Sequence, residues 1–215
     1  MAVRIILADD HSIMLEGLKA LLEREPDIEI VGLAQTGRQA VKLAAGLKPD
    51  LVIMDVSMPD LNGIEATRQI LAQDPGMKVV ALTIHSDARY AMEIIKAGAK
   101  GYILKQCAYE EIKRAIRSVV QGDAYLSPGI TGSLLGTLSG QVQPCQAGAF
   151  TSLSPREREV LQLLAEGKSS RNAASLLNIS VKTVDTHKMH IMQKLGLGSF
   201  AELVRYAIRE GLVEP

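Results

Sequence analysis

Five short runs of Val, Ile and Leu, each followed by a stretch with helical apolar spacing, constrain this chain more than any other feature. The runs are Val3–Leu7, Ile28–Ala34, Leu51–Met54, Val79–Thr83 and Gly101–Leu104. Continuous apolar runs of this length suit strands covered on both faces, as in a parallel sheet. Between and after them, apolar residues recur at helical spacing: Ile13, Leu18, Leu21 and Leu22; Ala40, Leu43 and Ala44; Ile64, Thr67 and Leu71; Ala91, Ile94 and Ile95; Ile112, Ile116 and Val119. Five βα units in series predict an α/β fold, a doubly wound parallel sheet with helices on both faces. Ligands of such sheets bind at the carboxyl ends of the strands.

The chain has 215 residues, room for one domain or two unequal ones at about 100–200 residues per domain. Hydrophobic content of 47% and charged content of 22% exclude general disorder. No run approaches the roughly 18 apolar residues of a membrane span, and the N-terminus enters a strand-like run at once. No membrane partner is expected, and the location expected is cytoplasmic. Cys107 and Cys145 are too few and too far apart for a disulfide scaffold or a zinc cluster, so reduced thiols are expected. The net charge of zero hides an asymmetry: residues 1–150 hold 15 Lys and Arg against 17 Asp and Glu, and residues 151–215 hold 9 against 7. Any nucleic-acid binding must come from local placement of cations.

The character of the chain changes from Asp123 to Phe150, where thirteen of 28 residues are Gly, Ser, Pro or Gln and Asp123 is the only charge. This divides the chain into a domain at 1–122, a linker at 123–150 and a domain at 151–215. Within the linker, Leu134, Leu135 and Leu138 suit a short helix, and four glycines oppose a long one.

Asp9 and Asp10 follow the first strand, Asp55 the third, Thr83 closes the fourth and Lys105 follows the fifth. The sheet would gather all five on one rim. Each buried carboxylate costs several kcal/mol without a partner, so three of them call for a cation. Oxygen ligands select a hard one such as Mg²⁺. Asp55, ionised near neutral pH, can act as a nucleophile without a base. The metal and Lys105 would offset charge on a phosphoryl group transferred to it, and the Thr83 hydroxyl could hydrogen-bond a phosphoryl oxygen. Taken singly, each residue has a plainer reading as turn, cap or strand end; the coincidence at four strand ends carries the argument.

Ile6–His11 (ILADDH), Asp55–Gly63 (DVSMPDLNG), Val80–Thr83 (VALT) and Gly101–Lys105 (GYILK) resemble the receiver domains of two-component response regulators. The resemblance covers roughly residues 1–122. It implies a flavodoxin-like (βα)5 fold in which Asp55 accepts phosphate from a sensor histidine kinase. Mg²⁺ would be held by Asp9, Asp10, Asp55 and the Ser57 backbone carbonyl. Lys105 matches the family's lysine, Thr83 its switch hydroxyl and Tyr102 its switch aromatic; from the residues alone, Tyr102 is a half-buried strand residue. Ser57 and His85 each lie two residues past a site residue, where side chains border the phosphoryl group. His85 is expected either to tune the lifetime of the acyl phosphate or to be an exposed loop histidine.

From Thr151 the pattern is helical throughout. Ser154-Pro155-Arg156-Glu157 opens one helix with an N-cap serine and an acidic residue at N3. A short helix at 170–177, a tight turn at Asn178-Ile179-Ser180 and a longer helix at 181–195 match a helix-turn-helix, followed by a fourth helix at 200–210. On the longer helix, Val181, Val184, Ile191 and Leu195 should point into the core. Lys182, Asp185, Thr186, Met189 and Gln193 share another side suited to base edges in a major groove. Ser169, Ser170, Thr183, Lys188, His190 and Lys194 could meet phosphates. A solvated amphipathic helix in a small bundle fits that pattern equally well.

LSPREREVLQLLAEGKSS and ISVKTVDTHKMHIMQKLG resemble the LuxR-type helix-turn-helix output of NarL/FixJ response regulators, across residues 151–215. Thr183, Val184, His187, Lys194 and Leu195 fall on its pattern. Asn172 stands where an acid is common, Asp185 where many members carry a cation, and Phe200 where a smaller or polar residue is usual. Phe200 would pack in the core or add to a dimer surface. The resemblance implies a transcription regulator and not an enzyme. It would bind double-stranded promoter DNA and form a homodimer when phosphorylated, with Leu203, Val204, Ala207 and Ile208 as contacts and RNA polymerase as a further candidate partner. A free-standing aspartyl-phosphate enzyme would want an acid where Ser57 stands. An RNA-binding antiterminator and a protein-only adaptor remain as other outputs.

Overall fold

The computed structural model describes residues 2–107, 109–138 and 152–213, which form two compact units. The first is a six-stranded parallel sheet with helices on both faces. Its strands are β1 (Val3–Ala8), β2 (Ile28–Ala34), β3 (Leu51–Met54), β4 (Lys78–Thr83), β5 (Gly101–Leu104) and β6 (Tyr125–Leu126), in the order β2-β1-β3-β4-β5-β6. The chain enters at β1 beside the centre, moves outward to β2 and returns past β1 to β3. That reversal sets the carboxyl ends of β1 and β3 side by side, where a doubly wound sheet opens a crevice. The helices are α1 (Ser12–Leu22), α2 (Gly37–Leu47), α3 (Gly63–Gln73), α4 (Ala88–Lys96), α5 (Tyr109–Gln121) and α6 (Pro128–Leu138). Three begin on side-chain caps: Thr36 accepts from Gln39 N, Asn62 from Glu65 N and Asp87 from Arg89 N. On one face Ile5, Leu7, Ile53, Val80, Leu82 and Ile103 bury against Leu15, Leu18 and Leu22 of α1 and Ile112, Ile116 and Val119 of α5.

Two expectations change here. The domain expected to end at 122 continues through β6 and α6, so the first part of the expected linker is regular structure. Tyr125 pairs with Gly101 and Leu126 with Tyr102, Ser127 N donates to Tyr102 O at 2.9 Å, and Ile130 and Leu134 of α6 are buried. Tertiary burial supports this helix where its glycines oppose it. The side chains of Leu135 and Leu138, with Cys145 and the rest of the linker, lie outside the described residues. Ile13, counted on the apolar stripe of α1, is 88% exposed, because the core side of that helix is Leu15, Leu18 and Leu22.

The elements of the second unit among the described residues are helices: α7 (Pro155–Ala165), α8 (Ser170–Leu177), α9 (Val181–Leu195) and α10 (Phe200–Arg209). Each of these four helices starts on a serine cap, Ser154, Ser169, Ser180 and Ser199 in turn, and Ser154 with Glu157 completes a capping box. Asn178 takes the left-handed conformation (φ 52°) that turns α8 into α9. Val160, Leu161, Leu164, Ala173, Leu177, Val184, Ile191, Leu203 and Ala207 fill the core. Val184 and Ile191 point inward as expected, but Val181, in the first turn of α9, is exposed. Leu203 and Ala207, expected at a dimer contact, are fully buried in the core, which leaves Val204 and Ile208 half-buried. No described helix is long and apolar enough to cross a membrane.

Candidate functional site

Strand ends assemble the first site. Asp9, just past β1, and Asp55, just past β3, are buried; Asp10 is exposed. Lys105, after β5, reaches across with Nζ 2.7 Å from Asp9 Oδ2 and 2.8 Å from Asp55 Oδ2. The contact with Asp55 is a directed hydrogen bond; that with Asp9 is close but poorly directed, since Asp9 Oδ2 is buried without a hydrogen bond. Acceptor atoms of Asp9, Asp10, His11 and Asp55 all lie within 4.8 Å of one another. A buried, unsatisfied carboxylate oxygen in a cluster of oxygen donors fits a hard divalent cation.

Burial pushes the Asp55 carboxyl up to about 6, although Lys105 draws it down. Burial would lower the Lys105 ammonium, yet the Asp55 charge, its hydrogen bond with Asp55 and the nearby Asp9 charge outweigh that and raise it. Near neutral pH the carboxylate is therefore ionised beside a secure cation. Sequence reasoning gave no role to His11, whose Nδ1 lies 2.8 Å from Asp10 Oδ1 and whose pKa is raised chiefly by Asp10. The signal was only its place after two aspartates.

The loop after Asp55 turns back on itself. Gly63 N donates to Val56 O at 2.9 Å, and a Cβ on Gly63 would lie 1.9 Å from the Asp55 carbonyl oxygen. Only glycine allows α3 to begin this close to Asp55. Across the rim, Ser57 Oγ and His85 Nε2 are 2.8 Å apart, joining the loops after β3 and β4. The His85 ring stacks on Tyr90 of α4 at 4.1 Å between centroids, a partner the sequence did not reveal. Thr83 is fully buried and its hydroxyl accepts from His85 N at 3.2 Å. Tyr102 is fully buried, its hydroxyl donating to His85 O at 2.7 Å, with its pKa pushed up by burial. Ser57, Thr83 and Tyr102 thus all meet His85.

The second candidate surface is α9. Lys182, Thr183, Asp185, Thr186, Met189, His190 and Gln193 are exposed. Thr183 N and hydroxyl bond to the Ser180 cap, and the Thr186 hydroxyl donates to Lys182 O at 2.9 Å. Lys188 lies off this face with Nζ 5.0 Å from the ring centroid of Phe200, so Phe200 is on the surface and not in the core. Lys194 is ion-paired with Glu157 at 2.7 Å. Ser170, first residue of α8, donates its hydroxyl to Asp185 Oδ1 at 2.9 Å.

Comparison with known proteins covers both units. Residues 5–117 match the response regulator receiver domain, and residues 151–207 match the bacterial regulatory proteins of the luxR family. The oxygen regulatory protein NreC of Staphylococcus carnosus is 39% identical over 216 residues, 99% of this chain and 100% of that protein. Among solved structures, a LuxR-family two-component response regulator from an Aurantimonas species has a TM-score of 0.62 at 34% identity, covering 65% of this chain and 99% of that one. RcsB of Salmonella enterica serovar Typhimurium, solved bound to a promoter with a phosphomimetic, has a TM-score of 0.61 at 27% identity, covering 96% of this chain and 98% of that one.

Proposed function

The chain belongs to the response regulators that join a receiver domain to a LuxR-type DNA-binding domain, and on that premise we propose that Asp55 is its phosphoacceptor and α9 its DNA-reading helix. It is a DNA-binding transcription regulator controlled by phosphorylation. In the proposed reaction an Asp55 oxygen attacks the phosphorus of a phosphohistidine on a sensor kinase. The oxygen–phosphorus bond forms, the phosphorus–nitrogen bond breaks, and the imidazole leaves with the electron pair and takes up a proton. Mg²⁺ held by Asp9, Asp10, Asp55 and the Ser57 carbonyl would neutralise charge on the phosphoryl oxygens. Lys105, already 2.8 Å from Asp55, offsets charge on another of them. The Thr83 hydroxyl, which accepts from His85 N, keeps its own proton to donate to a phosphoryl oxygen. Tyr102, buried with its hydroxyl on His85 O, would be the aromatic that responds to such a contact.

The phosphoryl group shifts the chain toward its DNA-binding form only by bonding better in that form, and the Thr83–Tyr102 pair is where the difference would arise. The phosphorylated form is read as a homodimer, as the family implies, and pairing would raise the effective concentration of each module at its half-site. Lys182, Thr183, Asp185, Thr186, Met189 and His190 meet promoter DNA, with Lys188 at the flank; the setting is the cytoplasm, and RNA polymerase is the further partner. The observation that carries the reading is the cation of Lys105 set between Asp9 and Asp55. Treatment with a small acyl phosphate and Mg²⁺ should add one phosphoryl group, seen by intact mass and labile to hydroxylamine, and Asp55→Asn should abolish it. Label that persists in the variant would overturn the assignment.

A further inference from the structure

Asp185 is the only acid of α9, exposed on the side of the helix that carries Lys182, Thr186 and Met189. An unpaired acid facing phosphates costs affinity, so its chemistry must suit something else on the duplex. Its two oxygens differ. Oδ1 accepts the Ser170 hydroxyl at 2.9 Å from the start of α8, and among the described residues no partner takes Oδ2. Ser170 thus engages one oxygen of the exposed carboxylate and leaves the other to offer.

A carboxylate can only accept. In the major groove guanine presents two acceptors, thymine an acceptor and a methyl group, and adenine an acceptor beside its donor. Cytosine alone offers an amino donor with no acceptor next to it. We propose that Asp185, oriented by Ser170, is a specificity-determining residue that selects cytosine through its 4-amino group and rejects guanine and thymine by repulsion. Rejection by an unpaired acceptor facing another acceptor is specificity by exclusion. The inference rests on α9 being the helix that enters the groove.

Selection of bound duplexes from a random pool, with the full phosphorylated chain, tests both layers. The parent should enrich one cytosine position per half-site. Asp185→Asn should lose that cytosine and gain adenine, which an amide bonds at N6 and N7, while the other enriched positions stay. Ser170→Ala should weaken the cytosine preference without replacing it. Replacing the selected cytosine by a pyrimidin-2-one, which lacks only the amino group, should weaken parent binding about tenfold and leave Asp185→Asn unaffected. Unchanged base preference in Asp185→Asn, with thermal stability lowered alike in Asp185→Asn and Ser170→Ala, would reduce the pair to a tie between helices and overturn the proposal. A parent chain that selects no duplex overturns the reading of α9 itself, and this inference with it.

Discussion

Lys194 sets its ammonium 2.7 Å from Glu157 Oε2, the same oxygen that accepts from Ser154 N at the start of α7. One carboxylate therefore closes a capping box and ties the last turn of α9 to the first turn of α7. Burial alone would raise the Glu157 carboxyl, but hydrogen bonds from Lys194 and Ser154 outweigh it and hold it below its ordinary range. Lys194→Met should lower stability by about 1–2 kcal/mol, read as a lower melting temperature of the C-terminal unit. A depressed carboxyl contributes its stability above the unfolded pKa and loses it as pH falls through the folded one, so the cost should be full at neutral pH and vanish in acid. A Lys194 that served DNA instead would change the salt dependence of duplex binding and leave melting alone.

Gly63 is expected to tolerate no side chain. Alanine there would bring its Cβ to 1.9 Å from the Asp55 carbonyl oxygen, a collision with backbone that no rotamer relieves. Gly63→Ala should displace Asp55, lowering stability by several kcal/mol and abolishing phosphorylation; thermal melting and intact mass read the two effects. Gly17→Ala, where a Cβ meets nothing within 4 Å, is the control and should not destabilise.

Asp55 is raised to about 6, above the 3.8 of an ordinary aspartate. Between those values the folded chain binds more protons than the unfolded one. The stability this group contributes is full below the lower value and is lost as pH rises through about 6. Metal-free Asp55→Asn should therefore melt above the parent near neutral pH, with the difference closing in acid. Mg²⁺ needs the ionised carboxylate, so its affinity should fall as pH drops below about 6, measurable as the Mg²⁺ needed to raise the parent's melting temperature.

Much of this was legible in the sequence because strands buried on both faces leave an unbroken apolar run, as Leu51–Met54 and Gly101–Leu104 do. Helix starts were legible where caps are local: Ser154 and Glu157 are three residues apart and bond as that spacing implies. Pairings between loops were not. Ser57 and His85 are 28 residues apart and meet only because β3 and β4 are neighbours. The helix α6 was obscured by glycines whose propensity cost is overridden by burial of Ile130 and Leu134. Lys188 and Lys194 read alike as phosphate contacts, and only packing separates one over Phe200 from one on Glu157.

Ser57, whose N–H donates to Asp55 Oδ1, is hydrogen-bonded to His85, and the His85 ring is further fixed by Tyr90. Ser57→Ala and His85→Ala should each change the hydrolysis rate of the acyl phosphate, and the double variant should change it no more than the larger single one. A rate unchanged in His85→Ala would remove its role.

Lys188 keeps its charge beside the side of α9 proposed to face DNA while its ammonium rests on the Phe200 ring. Lys188→Ala should weaken duplex binding and flatten its dependence on salt by about one unit if the ammonium reaches a phosphate. Phe200→Leu removes the ring but not the charge, and should leave the slope intact.

The most direct measurement is duplex affinity before and after acyl-phosphate treatment with Mg²⁺, for the parent chain and for Asp55→Asn, with the dimer fraction followed in parallel. Tighter binding and more dimer in the treated parent, with neither gain in the variant, is the expected result. Equal affinity in treated and untreated parent, or an equal gain in both proteins, would contradict control through Asp55.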